Sequence, residues 1–551
     1  MDKKRAYVIL SLILVLSFFL AVYGMNWGLP DRWNTDEQIA KSLRLLAARS
    51  PFTVVDKGHP QLYNIVLAVF LAPFLLALKV TGYNLTGVQT ASAVSWVNLA
   101  SAYPDFAAYV YMAGRLLSAA LNMASVVMVY LIGILVYKKH GIALLAALIM
   151  ALSPGIAEIG HFAKCTPLVM FLMLGVIYYV FRSLKADFNK NFYIASFLSG
   201  VSTASQADGA FAVIYLTVGF FIYFMLKGRK PYLLKVVPVS LALFAIGFAV
   251  SWPAIFMKTG EYMVNGLVGL SATKGLNWQM VYIKITDNLA HIMYMFSPAL
   301  AIFVYPGIIY SLNRWREDFP YTALFVSFLI PYYLFIIFYL LKYPGAYTKF
   351  TAHALPIFSL WAAAFIYKFI DWKTGLKAAR SIITAIAFFL CMIYTLKADS
   401  VFAKYDTRYA SGKWIEENIP AGSSIEHFQQ VDLLFPSRIL TTHHVIFMGK
   451  DSAEYKNKKF YDFDDKLSLK RYMAEINRSG PRSEYLVVAS GRDVLLPEDM
   501  QDAQGREDII YRLLADRADG YTLVKRFDFK ESLLNPRPSY TAPTISIYKK
   551  R

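Results

Sequence analysis

The sequence predicts a mainly α-helical protein: a polytopic membrane domain over residues 1–398, followed by an extracytoplasmic α/β domain over residues 399–551. Three observations carry this. Hydrophobic residues make up 57% of the 551 and charged residues 17%, where soluble domains carry roughly a quarter charged, and mean hydropathy is +0.42. Apolar stretches of roughly 17–25 residues, the length of a bilayer crossing, recur from Ala6 to about Leu396. From Asp399 onward the composition becomes that of a soluble α/β chain.

The first apolar run, Ala6–Gly24, follows "MDKKR" and has the look of a signal peptide. It is longer than a typical signal core, and no small-residue cleavage pattern follows it, so a retained helix is expected. Basic clusters then fix the path: "YKKHG" (137–141), "FRSLKADFNKN" (181–191), "LKGRKPYLLK" (226–235), "LNRWRED" (312–318) and "YKFIDWKTGLKAAR" (367–380) fall between apolar runs. Taken as cytoplasmic, they give about eleven spans, near 6–24, 110–136, 142–157, 163–182, 192–207, 210–226, 235–256, 290–311, 320–341, 351–370 and 379–396. The N-terminus is then cytoplasmic and the C-terminal domain outside, in a multi-pass cell-membrane protein. Were Leu62–Val80 a further crossing, every later basic cluster would turn outward. It is therefore expected to be an interfacial or re-entrant helix on the outer side, between a first outer loop (25–61) and the second span. A second outer loop, 257–289, carries Lys258, Glu261, Lys274, Trp278, Lys284 and Asp287. It is expected to form surface helices or a plain connector.

In the C-terminal part, "SGKWIEENIPAGSSIEHF" reads as helix, turn and strand. "EYLVVAS", "YTLVKRFDF" and "TISIYKK" read as further strands, with helices near Leu467–Asn477 and Glu507–Ala515. The two cysteines, Cys165 and Cys391, have no metal-ligand spacing and lie in or beside apolar segments, so they are expected as free thiols. A net charge of +19 does not point to nucleic acid, because the basic residues sit where membrane topology wants them. The triplets "NLT" at Asn84 and "NRS" at Asn477 are glycosylation-type patterns that also arise by chance.

The stretch Arg32–Asn64, "RWNTDEQIAKSLRLLAARSPFTVVDKGHPQLYN", is richer than a tether needs to be. Thr35 and Gln38 have capping-box spacing, so a helix is expected to start there, with Ile39, Leu43 and Leu46 on one face. Asp36 and Glu37 would then lie in the first turn, where the helix dipole favours acids whether or not they do chemistry. Downstream, Lys57 and His59 are suited to a phosphate, and Pro60 turns the chain back to the bilayer. An acid and a phosphate site at a membrane surface suit attack of an acceptor on a sugar carried by a lipid phosphate. That leaving group departs as a stable anion, so one base and a set of cations suffice.

At this point the sequence resembles a family. "YGMNWGLPDRWNTDEQIAKSLRLL…KGHPQLYNIVLA" is similar to the first outer loop of the integral-membrane (GT-C) glycosyltransferases, and most of all to the protein-mannosyltransferase and aminoarabinose-transferase group. "AGRLLSAALNMASVVMVYLIGILVYKKHG" is similar to that group's next span, "ALLAALIMALSPGIAEIGHFAKCTPLVMF" to the following pair, and "TKFTAHALPIFSL" to a later one. The resemblance implies a GT-C fold. It makes Asp36 the catalytic carboxylate with Glu37 beside it, and it sets Arg115 at the outer mouth of its span. It also implies a polyprenyl-phosphate-sugar donor, an extracytoplasmic acceptor (protein, lipid or glycan) and inversion at the anomeric carbon, as in cell-envelope glycosylation.

The chain departs from the group's pattern at several points. Thr166 stands where an acid is usual, Gln206 where a Lys is common with Asp208 nearby, and Lys349, Phe350 and His353 replace an Arg, a Tyr and a Pro. These changes fit another donor or acceptor, or a chain that has lost activity and serves as a scaffold. A lipid-saccharide transporter would instead gather charge at the bilayer midplane. For the donor phosphate the candidates are Lys57, His59, Arg115 and Lys349, although Arg115 equally suits simple snorkelling. His161, Gln206, Asp208 and His353 are further site candidates, and His161 equally suits a structural role at a span end. No cofactor is called for, a divalent metal is left open, and the expected partners are donor, acceptor and membrane lipids, not nucleic acid.

Overall fold

The computed structural model describes residues 1–29, 37–53, 60–80, 82, 104–227, 233–257, 278–339, 348–372, 375–427, 444–447, 483–490, 521–538 and 541–551. It is a mostly helical protein with one small sheet near the C-terminus. Helices α1 (Lys3–Val22), α2 (Ile39–Ala48), α3 (Leu62–Val80), α4 (Pro104–Tyr137), α5 (His140–Ala151), α6 (Pro154–Gly160), α7 (Thr166–Lys185) and α8 (Phe188–Thr203) make the first half. Helices α9 (Ala212–Lys227), α10 (Leu233–Ser251), α11 (Trp278–Asn313), α12 (Phe319–Tyr339), α13 (Thr348–Thr351), α14 (Leu355–Ile370) and α15 (Lys377–Ser400) follow, and α16 (Thr407–Asn418) leads into the sheet.

Each expected span is a helix, but by length and hydropathy eight helices among the described residues suffice for a crossing. A ninth is obtained if α5 and α6, bent by 58° at Leu152–Ser153, count as one span. The bend has a local cause. Ser153 caps α6, accepting from the Ile156 amide, and Pro154 takes the first helical position. Helix α3 carries Pro73 inside it, and its apolar part, Leu62–Ala77, is shorter than the eight. Only part of the segment expected as the outer loop 257–289 lies among the described residues. Trp278, Lys284 and Asp287 already belong to α11, while Lys258, Glu261 and Lys274 lie outside the described residues.

Close packing inside the bundle rests on small residues, as it must where lipid removes the hydrophobic incentive between helices. A Cβ on Gly133 of α4 would sit 2.9 Å from the Ala143 Cα of α5. Helix α11 breaks at Ser297, whose φ of 63° is left-handed and strained for a residue with a side chain. Pro298 follows, and the carbonyls freed at the break find new donors: Ser153 Oγ bonds Met295 O at 2.5 Å and Cys391 Sγ bonds Phe296 O at 3.4 Å. The bundle's core is continuous across α4–α7, α11, α12, α14 and α15.

Helix α15 continues past the expected boundary at 398 to Ser400, and the change to an α/β unit comes at Asp406, which caps α16. The sheet order is β2-β1-β3-β5-β4, from β1 (Ser424–His427), β2 (His444–Phe447), β3 (Tyr485–Ser490), β4 (Tyr521–Phe527) and β5 (Thr544–Lys550). Strand β1 runs parallel to β2 and β3, while β5 lies antiparallel between β3 and β4. Ile415 of α16 and Ile419 just past its end pack on Ile425, Val487, Ile545 and Ile547. The helices expected at 467–477 and 507–515, and both Asn-X-Ser/Thr triplets, lie outside the described residues.

Candidate active site

The five-residue loop His161–Cys165, between α6 and α7, is where distant parts of the chain meet. It is tight, with the Lys164 amide on Phe162 O at 2.8 Å, and Pro167 restarts the helix in the first turn of α7.

On one side the loop receives the segment between α1 and α2. The Gln38 amide donates to Ala163 O at 2.9 Å, and the Ala163 amide donates to Glu37 Oε1 at 2.9 Å. Glu37 also accepts two bonds from Arg115, Nε to Oε1 at 2.8 Å and Nη2 to Oε2 at 2.9 Å, across 78 residues of sequence. Both side chains are fully buried. This corrects the capping expectation. Helix α2 starts at Ile39, with Gln38 making no side-chain cap and no acid in its first turn. Tertiary partners hold Glu37 where a helix dipole had been expected to.

Arg115 is held as firmly. Its Nη1 donates to Met25 O at 2.5 Å and to Trp27 O at 2.8 Å, so with the Glu37 pair four of its five N–H groups are engaged. These bonds fasten the segment that follows α1 to α4. His161 is held by backbone groups. It is fully buried, with Nδ1 2.7 Å from Ala157 O and Nε2 2.6 Å from Tyr23 O, and it stacks on Phe402 at 4.5 Å. Burial pulls its pKa down to about 4, and the two carbonyls, which favour a protonated ring, offset that only in part. It locks the end of α1 to α6.

On its other side the loop faces α13. Glu158, Lys164, Thr166 and Lys349 line one small cleft, with Ile159 and Phe162, of about 10 Å³, roughly the room for one water. Glu158 also accepts from Tyr294 Oη at 2.5 Å. Next to it Cys165 Sγ donates to Gln206 Oε1 at 2.8 Å, and burial pushes the Cys165 thiol up to about 12, so it stays a thiol. Asp208 Oδ2 lies 3.0 Å from His353 Nε2, joining residues 145 apart in a buried pair. Asp208 Oδ1 and His353 Nδ1 are shielded and have no hydrogen-bond partner among the described residues, a state that buried polar atoms rarely keep without a ligand or water.

The structure therefore gathers Glu37, Arg115, His161, Gln206, Asp208, Lys349 and His353 around one loop. Asp36, Lys57 and His59 lie outside the described residues. Sequence reasoning missed Glu158 and Lys164. The signal for Glu158 was present, since a lone carboxylate inside the apolar run "LIMALSPGIAEIGHF" is costly unless it is used. Among the described residues no group of three or more His, Cys, Asp or Glu is placed to hold a metal.

Residues 108–252 match the family model of dolichyl-phosphate-mannose-protein mannosyltransferases. That segment holds Arg115, Glu158, His161, Lys164, Gln206 and Asp208. No curated protein matches the sequence. Several solved structures are similar in shape. ArnT from Cupriavidus metallidurans, bound to undecaprenyl phosphate, is 10% identical, with 99% of this chain and 98% of that one covered at a TM-score of 0.49. The Archaeoglobus fulgidus oligosaccharyltransferase is 14% identical, with 87% and 68% covered at 0.47. The S. cerevisiae protein O-mannosyltransferase Pmt1-Pmt2 complex bound to the sugar donor is 15% identical, with 48% and 35% covered at 0.35.

Proposed function

We propose that this chain is a membrane glycosyltransferase that moves a sugar from a polyprenyl-phosphate donor to an acceptor outside the cytoplasm, with inversion at the anomeric carbon. The observation that carries the reading is the convergence on one short loop. Glu37, bonded in the chain to Asp36, is pinned to Ala163, and the next residue, Lys164, lines a cleft with Lys349 from the far end of the sequence. Glu37 and two cations thus meet at one short loop. The match of residues 108–252 to a family of lipid-phosphate-sugar transferases supports the same reaction class.

In this reading Asp36 takes the proton of the acceptor's nucleophile as that nucleophile bonds to the anomeric carbon. The bond from that carbon to the phosphate oxygen breaks, and the electron pair leaves with the lipid phosphate. Lys164 and Lys349, with Lys57 and His59 of the first loop, stabilise the charge that grows there. Glu37 and Arg115 position the Asp36 segment and touch neither substrate. Asp208 and His353 contribute to the donor side.

The test is transfer in detergent. Purified full-length chain is given labelled polyprenyl-phosphate sugars and an acceptor mixture, and the released lipid phosphate is measured. Release that depends on Asp36 supports the proposal. A panel of such donors left intact by folded protein would overturn it.

A further inference from the structure

A second cavity, of about 340 Å³, lies at the opposite end of the bundle. It opens where α4 and α14 end, α5 starts, and the chain turns from α11 to α12. From Arg115 to Tyr137, which lines it, α4 covers about 33 Å at 1.5 Å per residue, close to the thickness of a hydrocarbon core. The volume falls in the range of small-ligand sites.

The lining has two parts. Phe325 and Trp361 give an apolar, aromatic floor, while Lys139, Arg314 and Lys368 face it against the acids Asp318 and Asp371. Asp371 is paired with Lys377 at 3.0 Å, and with Glu317 beside Arg314 counted as well, the lining and its partners keep one positive charge in excess. Lys139 lies over the Tyr367 ring at 4.9 Å. Arg314 bonds Tyr310 Oη at 2.5 Å and pairs with Glu317, yet its Nε–H is shielded and has no acceptor among the described residues. A shielded guanidinium N–H without an acceptor calls for one from outside the chain. Trp315 and Trp372, 47% and 56% exposed, lie at this same end, and exposed indoles belong at the headgroup level of a bilayer.

We propose that this cavity binds the phosphate of an anionic phospholipid from the leaflet opposite the candidate active site. The phosphate oxygens accept from Arg314 Nε and from the two lysines, and the glycerol and upper acyl carbons cover Phe325 and Trp361. A ring of basic residues at a cytoplasmic face attracts anionic lipid in any membrane protein; the cavity and the unanswered Arg314 donor make this one site.

The test uses the delipidated full-length chain, native mass spectrometry and thermal melting, with phosphatidylglycerol, phosphatidylcholine and inorganic phosphate as the three probes. Phosphatidylglycerol should leave one retained lipid and raise the melting point, and phosphatidylcholine should do neither. In the Lys139→Gln/Lys368→Gln double variant, retention should fall about thirtyfold, two lysines each contributing roughly fivefold near an anionic lipid. Arg314→Lys, which keeps the charge but loses Nε–H, should also weaken retention. Lys413→Gln, on the exposed face of α16, should change nothing. Equal retention in the double variant overturns the proposal, as does equal stabilisation by phosphatidylcholine. Stabilisation by inorganic phosphate matching that of the lipid would make it a soluble-phosphate site and overturn it equally.

Discussion

Trp27 donates its indole N–H to Asp406 at 3.0 Å across 379 residues, while its carbonyl accepts from Arg115 at 2.8 Å. One buried residue just past the first helix therefore touches both the carboxylate that opens the C-terminal unit and the guanidinium behind the first loop. Arg408 pairs with Asp406 at 2.9 Å and lies over the Trp27 ring at 5.0 Å. The Ala542 amide adds a bond to Asp406 at 2.9 Å. Two contacts of Trp27, its N–H on Asp406 and the Arg408 guanidinium over its ring, thus tie the C-terminal unit to the same frame that fixes Glu37.

This contact gives the first prediction. Trp27→Phe keeps an aromatic ring against Phe162 and Phe402 but removes the donor. A hydrogen bond to a charged group contributes roughly 1.5–3 kcal/mol. Hydrogen exchange should speed up in α16 and around Ala542 while the membrane helices keep their protection. Unchanged exchange in α16 would show that the other Asp406 partners hold the unit without Trp27.

The second prediction separates neighbouring acids. Asp36→Asn should lower turnover by roughly 10²–10⁴-fold, the usual contribution of a general base, with melting unchanged. Glu37→Ala should act on the fold, because it strands the Arg115 charge in a dry site; removing one member of a buried pair costs roughly 3–5 kcal/mol. Thermal melting and transfer rate on the same preparations check both. A Glu37→Ala protein that melts normally but fails to turn over would move Glu37 into the chemistry.

These assignments show what the sequence carried. Hydropathy and charge placed the helices, because a bilayer leaves few alternatives for an apolar run, and alternation placed β1, β3, β4 and β5. Strand β2, "HVIF", is too short to register in one sequence, and the end of α15 was obscured because Asp399 is polar yet buried. In the site, residue types were legible but partners were not. A capping box and an ion pair use the same letters, and the choice for Glu37 depended on Arg115 and Ala163, which approach it only in three dimensions. Lys164 went unnoticed because nothing local distinguishes it from any lysine at a span end.

The third prediction is a pH dependence. His161 has its pKa lowered to about 4 by burial, from about 6.5 in an unfolded chain. Between those values the unfolded state binds the proton that the folded state refuses, so stability rises with pH. The contribution is complete above about pH 6.5 and is lost as pH falls toward 4, by roughly 3 kcal/mol for such a gap. Melting of the detergent-solubilised protein should therefore decline over that window. His161→Phe retains a ring against Phe402 and should flatten the decline. An unchanged slope in that variant would assign the acid sensitivity to other groups.

The last prediction asks whether Lys164 and Lys349 act on one phosphate. They line the same cleft, although one precedes α7 and the other sits in α13. A positioned cation facing developing negative charge can contribute roughly 2.7–4 kcal/mol, by analogy with an oxyanion donor. Lys349→Ala should then lower turnover on the order of a hundredfold, and Lys349→Arg should retain more, since a guanidinium reaches the same oxygens with more donors. Lys164→Ala should fall in the same range. If both cations serve one group, the double variant should lose less than the sum of the two free-energy losses, because the second removal acts on a phosphate already displaced. Additive losses would assign them to separate groups. Normal turnover in both single variants would leave the cleft without a part in the reaction, and the charge on the leaving phosphate would then fall to Lys57 and His59 of the first loop.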